Sequence, residues 1–271
     1  MKKLKSILKT LVISYIFICI TMYGFQRKLM YIPTIAIESP ASYGLVDFSA
    51  ISLKDSDGTQ IETWYHPAKK DYPTIIHFHG NGGNLSHRAI FFSLLRDAGF
   101  GVLGLDYRGY GRSEGSPSEE GFYQDARATM DYASKTLSLP DNKIIIYGES
   151  IGTGVAVQMA TEHKIAALVL QSPFTSMTAT ASHKYPWLPV SLLLKDRYDS
   201  LSKISSIKAP LLLFHGERDT LVPSALGKEL FANAPESKQA IYFPENGHND
   251  FDLQKLTGAI LEFSKTHQLV H

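Results

Sequence analysis

Three residues have the types and the chain order needed to attack a carbonyl: Ser150, Asp219 and His248. Ser150 stands in Gly148-Glu149-Ser150-Ile151-Gly152, directly after the apolar run Ile144–Tyr147 and before a run of small and apolar residues. A serine hydroxyl is a weak nucleophile until a base takes its proton, and glycines on both sides allow the sharp strand-to-helix corner that would expose it. The carboxylate and the base are expected to follow in the order acid, then histidine. Asp219 ends "LLLFHGERD" just beyond an apolar strand, with Glu217 as the alternative acid. Asp219 is preferred because it lies further out in the loop, and Pro223 and Ser224 serve better as the start of the next helix. His248 lies in the glycine-bearing loop "FPENGHND"; His215 and His267 are weaker candidates.

Acyl transfer builds negative charge on oxygen, and backbone N–H groups must be aimed at it. One donor is expected from Ile151 and the other from Asn81, or from Gly82, in the glycine-rich "HGNGGN". That loop lacks the lysine and the spacing of a phosphate-binding loop. Asp106, in "LDYRGYGRSEG", also ends a strand but precedes the serine, so Asp106 and Arg108 are read as loop-ordering residues. Glu149 is read as structural or as lining the site rather than as an acid. His77 and His79 lie two apart on one strand pattern, which would put them on one side; neither they nor any Cys/His group has metal-ligand spacing, and no cofactor is expected.

The elements that must carry these residues alternate strand and helix from about Val46 onward. "VDFSAISLKDSDGTQIETWYHP" reads as a hairpin around Asp57-Gly58. After it, short apolar strands alternate with amphipathic helices, Ser118 being a plausible cap for one of them. This predicts an α/β fold with a mostly parallel sheet and helices on both faces. The interval from Ser172 to about Ala209 is too short for a large lid. "KYPWLPVSLLL" within it, broken by Pro186 and Pro189, either only packs on the body through Trp187 and its leucines or forms a short apolar flap that gives a small acyl pocket or a lipid-facing lip beside the membrane; an open site for short to medium acyl chains is expected.

Lys and Arg total 27 against 26 Asp and Glu, and the body has no basic stripe, which argues against nucleic acid as a partner. The single cysteine, Cys19, excludes an internal disulfide. The N-terminus is different in kind. It starts basic, runs uncharged from Thr10 to Gln26, and ends on Arg27 and Lys28. This stretch would span roughly 25 Å as a helix, at the short end of a membrane crossing. We read residues 1–28 as an uncleaved signal-anchor and 29–271 as one catalytic domain; a cleaved signal peptide and a buried soluble helix are the rivals. Lys2, Lys3, Lys5 and Lys9 outnumber Arg27 and Lys28. The N-terminus is therefore expected in the cytoplasm and the body on the other side of the membrane.

The stretches "FQRKLMYIPT", "HFHGNGGNLSHR", "LDYRGYGRSEG", "YGESIGTGVA", "SPFTSM", "HGERDTLVP" and "NGHND" together resemble the α/β-hydrolase superfamily from about residue 45 to 265. More narrowly, the chain is similar to membrane-anchored Bem46-type hydrolases, relatives of α/β-hydrolase domain proteins 13 and 17. The resemblance implies an eight-stranded sheet and a serine hydrolase acting on esters, thioesters or amides, with Ser150, Asp219 and His248 as its triad. The cysteine-rich N-terminus of the depalmitoylating relatives is missing, so their substrate does not carry over. An esterase or thioesterase acting on a small-molecule or lipid substrate is the leading expectation. A peptidase or amidase on the same scaffold, or a non-catalytic binding protein, is the alternative.

Overall fold

The computed structural model describes residues 1–270. Eight strands form one sheet: β1 (Ser49–Lys54), β2 (Gln60–His66), β3 (Thr74–Phe78), β4 (Gly101–Asp106), β5 (Ile144–Glu149), β6 (Ala167–Gln171), β7 (Leu211–Gly216) and β8 (Lys238–Phe243). Their order is β1-β2-β4-β3-β5-β6-β7-β8. Only β1–β2 and β2–β4 pair antiparallel; all other neighbours are parallel. The antiparallel start follows from the tight turn at Asp57-Gly58, which returns the chain at once. The parallel pairs need crossovers, and helices supply them.

The central strands are buried on both faces, so they read in sequence as apolar runs rather than as alternation. Successive side chains nonetheless point to opposite sides. Ile76, Phe78, Leu103, Leu105, Ile144 and Ile146 pack in one core cluster with α3 (Glu119–Asp131) and α4 (Ile151–Glu162). Ile75, Val102, Ile145, Tyr147, Val169 and Phe214 pack on the other face under α2 (Ala89–Asp97) and α9 (Leu253–Thr266). Ser118 caps α3, its Oγ accepting from Gly121 N at 3.1 Å. The remaining long helix after β7, α8, covers Ser224–Ala232.

Two features bear on the site. The first is α1, which runs as one helix from Lys2 to Met30, past the expected boundary at residue 28, and is long and apolar enough to cross a membrane. The second is the short insertion between β6 and β7. It folds into α5 (Met177–Lys184), α6 (Val190–Leu193) and α7 (Leu201–Ile204), with Pro186 and Pro189 in the break between α5 and α6. This cap is small, and it leans on α1 rather than only on the body.

Candidate active site

The corner after β5 is set by contact. A Cβ at Gly152 would fall on the carbonyl oxygens of Phe78 and His79, and one at Gly148 would lie 2.6 Å from Gly152 O. Only glycines let α4 start this close to β3 and β5. Ser150 between them is held at φ 51°, ψ −118°, a conformation a non-glycine residue adopts at a cost of about 1–3 kcal/mol. Its amide donates to Gln171 O at 2.9 Å, and Thr153 Oγ1 donates back to Ser150 O at 2.6 Å.

Two loops at the same end of the sheet reach this serine. His248 Nε2 lies 2.9 Å from Ser150 Oγ, and His248 Nδ1 lies 2.6 Å from Asp219 Oδ2. The other carboxylate oxygen of Asp219 accepts the backbone N–H groups of Leu221 and Val222 at 2.9 and 2.8 Å. Burial works to raise the Asp219 pKa. Hydrogen bonding to His215 and His248 and the Val222 amide outweigh it and hold this carboxyl well below the usual range. The histidine loop is fixed by Arg218 N donating to Asn246 O and Gly247 N donating to Asp250 Oδ1.

The alternative residues are engaged elsewhere. Glu217 points to the surface, where Ser224 Oγ and Lys228 Nζ donate to it at 3.0 and 2.9 Å. His215 is buried, with Nε2 2.9 Å from Val222 O. His267 packs on Phe263 at the end of α9. His77 and His79 do not share a side, because His79 lies past the end of β3. His77 packs among Phe91, Phe92 and Tyr147, and burial pushes its pKa down to about 3. His79 packs instead on Tyr107 and Tyr110. Among the described residues no group of three His, Cys, Asp or Glu side chains is placed to hold a metal.

The loop after β3 is anchored at several points. Asn81 Nδ2 donates to Met30 O at the end of α1, and Tyr110 OH donates to Asn81 O at 2.8 Å. Residues Ile32–Pro33 pair with Gly82–Gly83 as a short parallel bridge. Glu149 reaches back to Arg88, which donates from Nε and a terminal nitrogen at 3.2 and 2.9 Å. Burial raises the Glu149 pKa, but Arg88 overrides this and brings it down to about 2. Asp106 accepts from Leu85 N, and Arg108 pairs with Asp55, Asp57 and Asp125.

Ser150, Ile151 and Asn81 open into an apolar cavity of about 370 Å³. One wall is the cap, through Met177, Tyr185, Leu188, Val190 and Leu193; the other is α1, through Met22, Gln26, Leu29 and Met30. Arg27 grips Asp196 with two hydrogen bonds of 2.8 and 2.9 Å. Gln26 both donates to Leu193 O and accepts from Lys195 N. The site is therefore walled on the side where an open mouth was expected.

A family model described as alpha/beta hydrolase fold matches residues 73–201. An uncharacterized protein of Mycobacterium tuberculosis is 39% identical over 230 residues, covering 84% of this chain and 82% of its own. The chain belongs to the α/β-hydrolase family. Protein bem46 of Schizosaccharomyces pombe is 29% identical over 248 residues, with 84% and 82% covered, so the Bem46-type resemblance holds. Among solved structures, the Pyrococcus furiosus esterase Pf2001 superposes with a TM-score of 0.69 at 20% identity, covering 87% of this chain and 98% of the esterase. At that identity the likeness speaks for the fold. In this α/β-hydrolase the α1 wall was missed by sequence reasoning, which treated the helix as an anchor alone. Met22, Gln26, Leu29 and Met30 do share one face at helical spacing, but any apolar helix shows such a face.

Proposed function

We propose that this α/β-hydrolase is a membrane-tethered serine hydrolase that cleaves carboxylic esters or thioesters through an acyl-enzyme on Ser150. The observation that carries the reading is His248, whose two ring nitrogens meet Ser150 Oγ at 2.9 Å and Asp219 at 2.6 Å. Asp219, kept ionised, holds the Nδ1 proton and leaves Nε2 free to accept one. In the first half-reaction the Ser150 proton passes to Nε2 as Oγ bonds to the acyl carbon. The bond to the leaving oxygen or sulfur then breaks, and the leaving group takes that proton. In the second half-reaction His248 takes a proton from water as the water oxygen bonds to the acyl carbon; the bond from that carbon to Oγ then breaks, Oγ takes the proton back, and the acid is released.

The first N–H groups of a helix have no acceptor within it, so Ile151 at the start of α4 can offer its amide to the oxyanion. Asn81, lining the same cavity, is the second donor we propose. Residues 1–28 would serve as the anchor and 29–271 as the hydrolase domain. The N-terminal lysines favour a cytoplasmic N-terminus with the domain across the membrane.

The test is turnover of p-nitrophenyl butyrate by the full-length protein in detergent, with and without a chelator. Turnover unaffected by chelation is expected. No turnover, or turnover abolished by chelation and restored by zinc, contradicts the reading.

A further inference from the structure

The contacts of α1 continue well beyond the active-site cavity. Tyr15 OH donates to Trp187 O in the cap at 2.8 Å. Tyr15, Ile16, Cys19, Ile20 and Tyr23 line a second hollow, of about 220 Å³, together with Leu193. Leu193 also lines the first cavity, so the two hollows follow one another along α1. Met30 and Tyr15 are about 22 Å apart along a helix rising 1.5 Å per residue. If the uncharged stretch Thr10–Gln26 crosses the bilayer, Tyr15 lies within the hydrocarbon, and the cap tip that it bonds lies there too.

The cap tip displays apolar side chains at that depth. Trp187 is 52% exposed and Leu192 80% exposed, on a segment that also bonds the exposed apolar helix α1. At the base of the tip Lys195 donates its backbone N–H to Gln26, at the end of the uncharged stretch, where its long stem can keep its charge at the surface. Lys195 Nζ lies 4.1 Å from the Tyr23 ring on α1.

We propose that the cap tip is embedded in the leaflet beside α1, and that Ser150 is supplied from the bilayer. The acyl chain of a membrane-resident carboxylic ester would enter the apolar slot between α1 and the cap. This rests on the serine-hydrolase reading and names its substrate class. The chain lies against Met22 and Leu29 with its carbonyl at Ser150, and the far end of a long chain continues along the second hollow toward lipid. α1 is then a wall of the binding site as well as an anchor.

The test uses the full-length protein in phosphatidylcholine vesicles. The chain has two tryptophans, and Trp64 is fully buried in the core, so bilayer contact is read from Trp187. Lipids brominated on their acyl chains are expected to quench at least half of the emission that a Trp187→Phe variant lacks. Unquenched Trp187 emission overturns the embedded cap. Leu29→Trp, which narrows the slot, is expected to lower the ratio of kcat/KM for p-nitrophenyl dodecanoate to that for p-nitrophenyl acetate at least tenfold. Phe17→Trp, on an exposed part of α1, is expected to keep the wild-type ratio. An unchanged ratio in Leu29→Trp, or an equal fall in Phe17→Trp, overturns the slot. If the acetate ester is not turned over at all, the serine-hydrolase reading itself fails and this inference falls with it.

Discussion

Two aspartates end strands at the same edge of this sheet, and each faces a histidine. Asp219 follows β7 and meets His248 at 2.6 Å; Asp106 ends β4, with His79 Nε2 3.3 Å from its Oδ1. By residue type the pairs are equivalent, and their surroundings separate them. His79 spends Nδ1 on Gly80 O at 2.6 Å, and both His79 and Asp106 are fully buried among Tyr107, Tyr110 and the loop after β3. Among the described residues no hydroxyl is hydrogen-bonded to either ring nitrogen of His79. His248 aims one nitrogen at a carboxylate and the other at a serine that lines the cavity between the cap and α1. An Asp–His pair becomes a catalytic candidate through what its outer nitrogen faces. Facing nothing that reacts, the same pair is a brace.

Substitutions can break this distinction. The largest effect is expected from Ser150→Ala and His248→Ala, each lowering kcat on an activated ester by at least roughly a thousandfold. Asp219→Asn is expected to follow, at about a hundredfold or more, because the amide no longer fixes the Nδ1 proton and the ring orientation. Asp106→Asn is expected to stay within about tenfold of wild type in kcat/KM. It should instead lose about 1–3 kcal/mol of stability in a urea titration, since a buried acceptor for Leu85 N is altered. A dead Asp106→Asn beside an active Asp219→Asn would reverse the roles assigned to the two pairs.

The smallest effect concerns Glu149, adjacent to the serine yet committed to Arg88. Its carboxyl is depressed to about 2 from an ordinary 4.5. A depressed carboxyl stabilises the fold above its unfolded pKa and loses that contribution as pH falls through the folded one. Glu149→Gln should therefore be less stable than wild type by about 1–3 kcal/mol at neutral pH, with the gap closing between about pH 4.5 and 2. Acid unfolding followed by circular dichroism reads this, and a gap that widens below pH 4 would contradict the pairing.

Much of the proposed site was legible because local chemistry marks it. Glycines at 148 and 152 are demanded by close backbone approach, and serine, aspartate and histidine sit in the loops after the apolar strands β5, β7 and β8, in that order. Glu217 and Asp219 could be ranked by loop position alone, and the structure gives Glu217 to Lys228. The α1 wall was hidden for a physical reason. Its contacts join residues far apart in the chain, such as Arg27 with Asp196 and Tyr15 with Trp187, and pairings of that kind leave no local pattern. An uncharged helix also looks the same whether lipid or a cap lies against it. The side assigned to His77 and His79 failed for a simpler reason: a period of two holds only while the strand continues, and β3 stops at Phe78.

The most direct measurement of the central claim is covalent. The full-length protein is treated with a fluorophosphonate probe and digested, and the adduct is mapped by mass spectrometry. One modified residue, Ser150, is expected, with labelling slowed at least roughly a hundredfold in His248→Ala and within about tenfold of wild type in Asp106→Asn. A folded wild-type protein that takes no label at Ser150, or labels equally fast without His248, would contradict it.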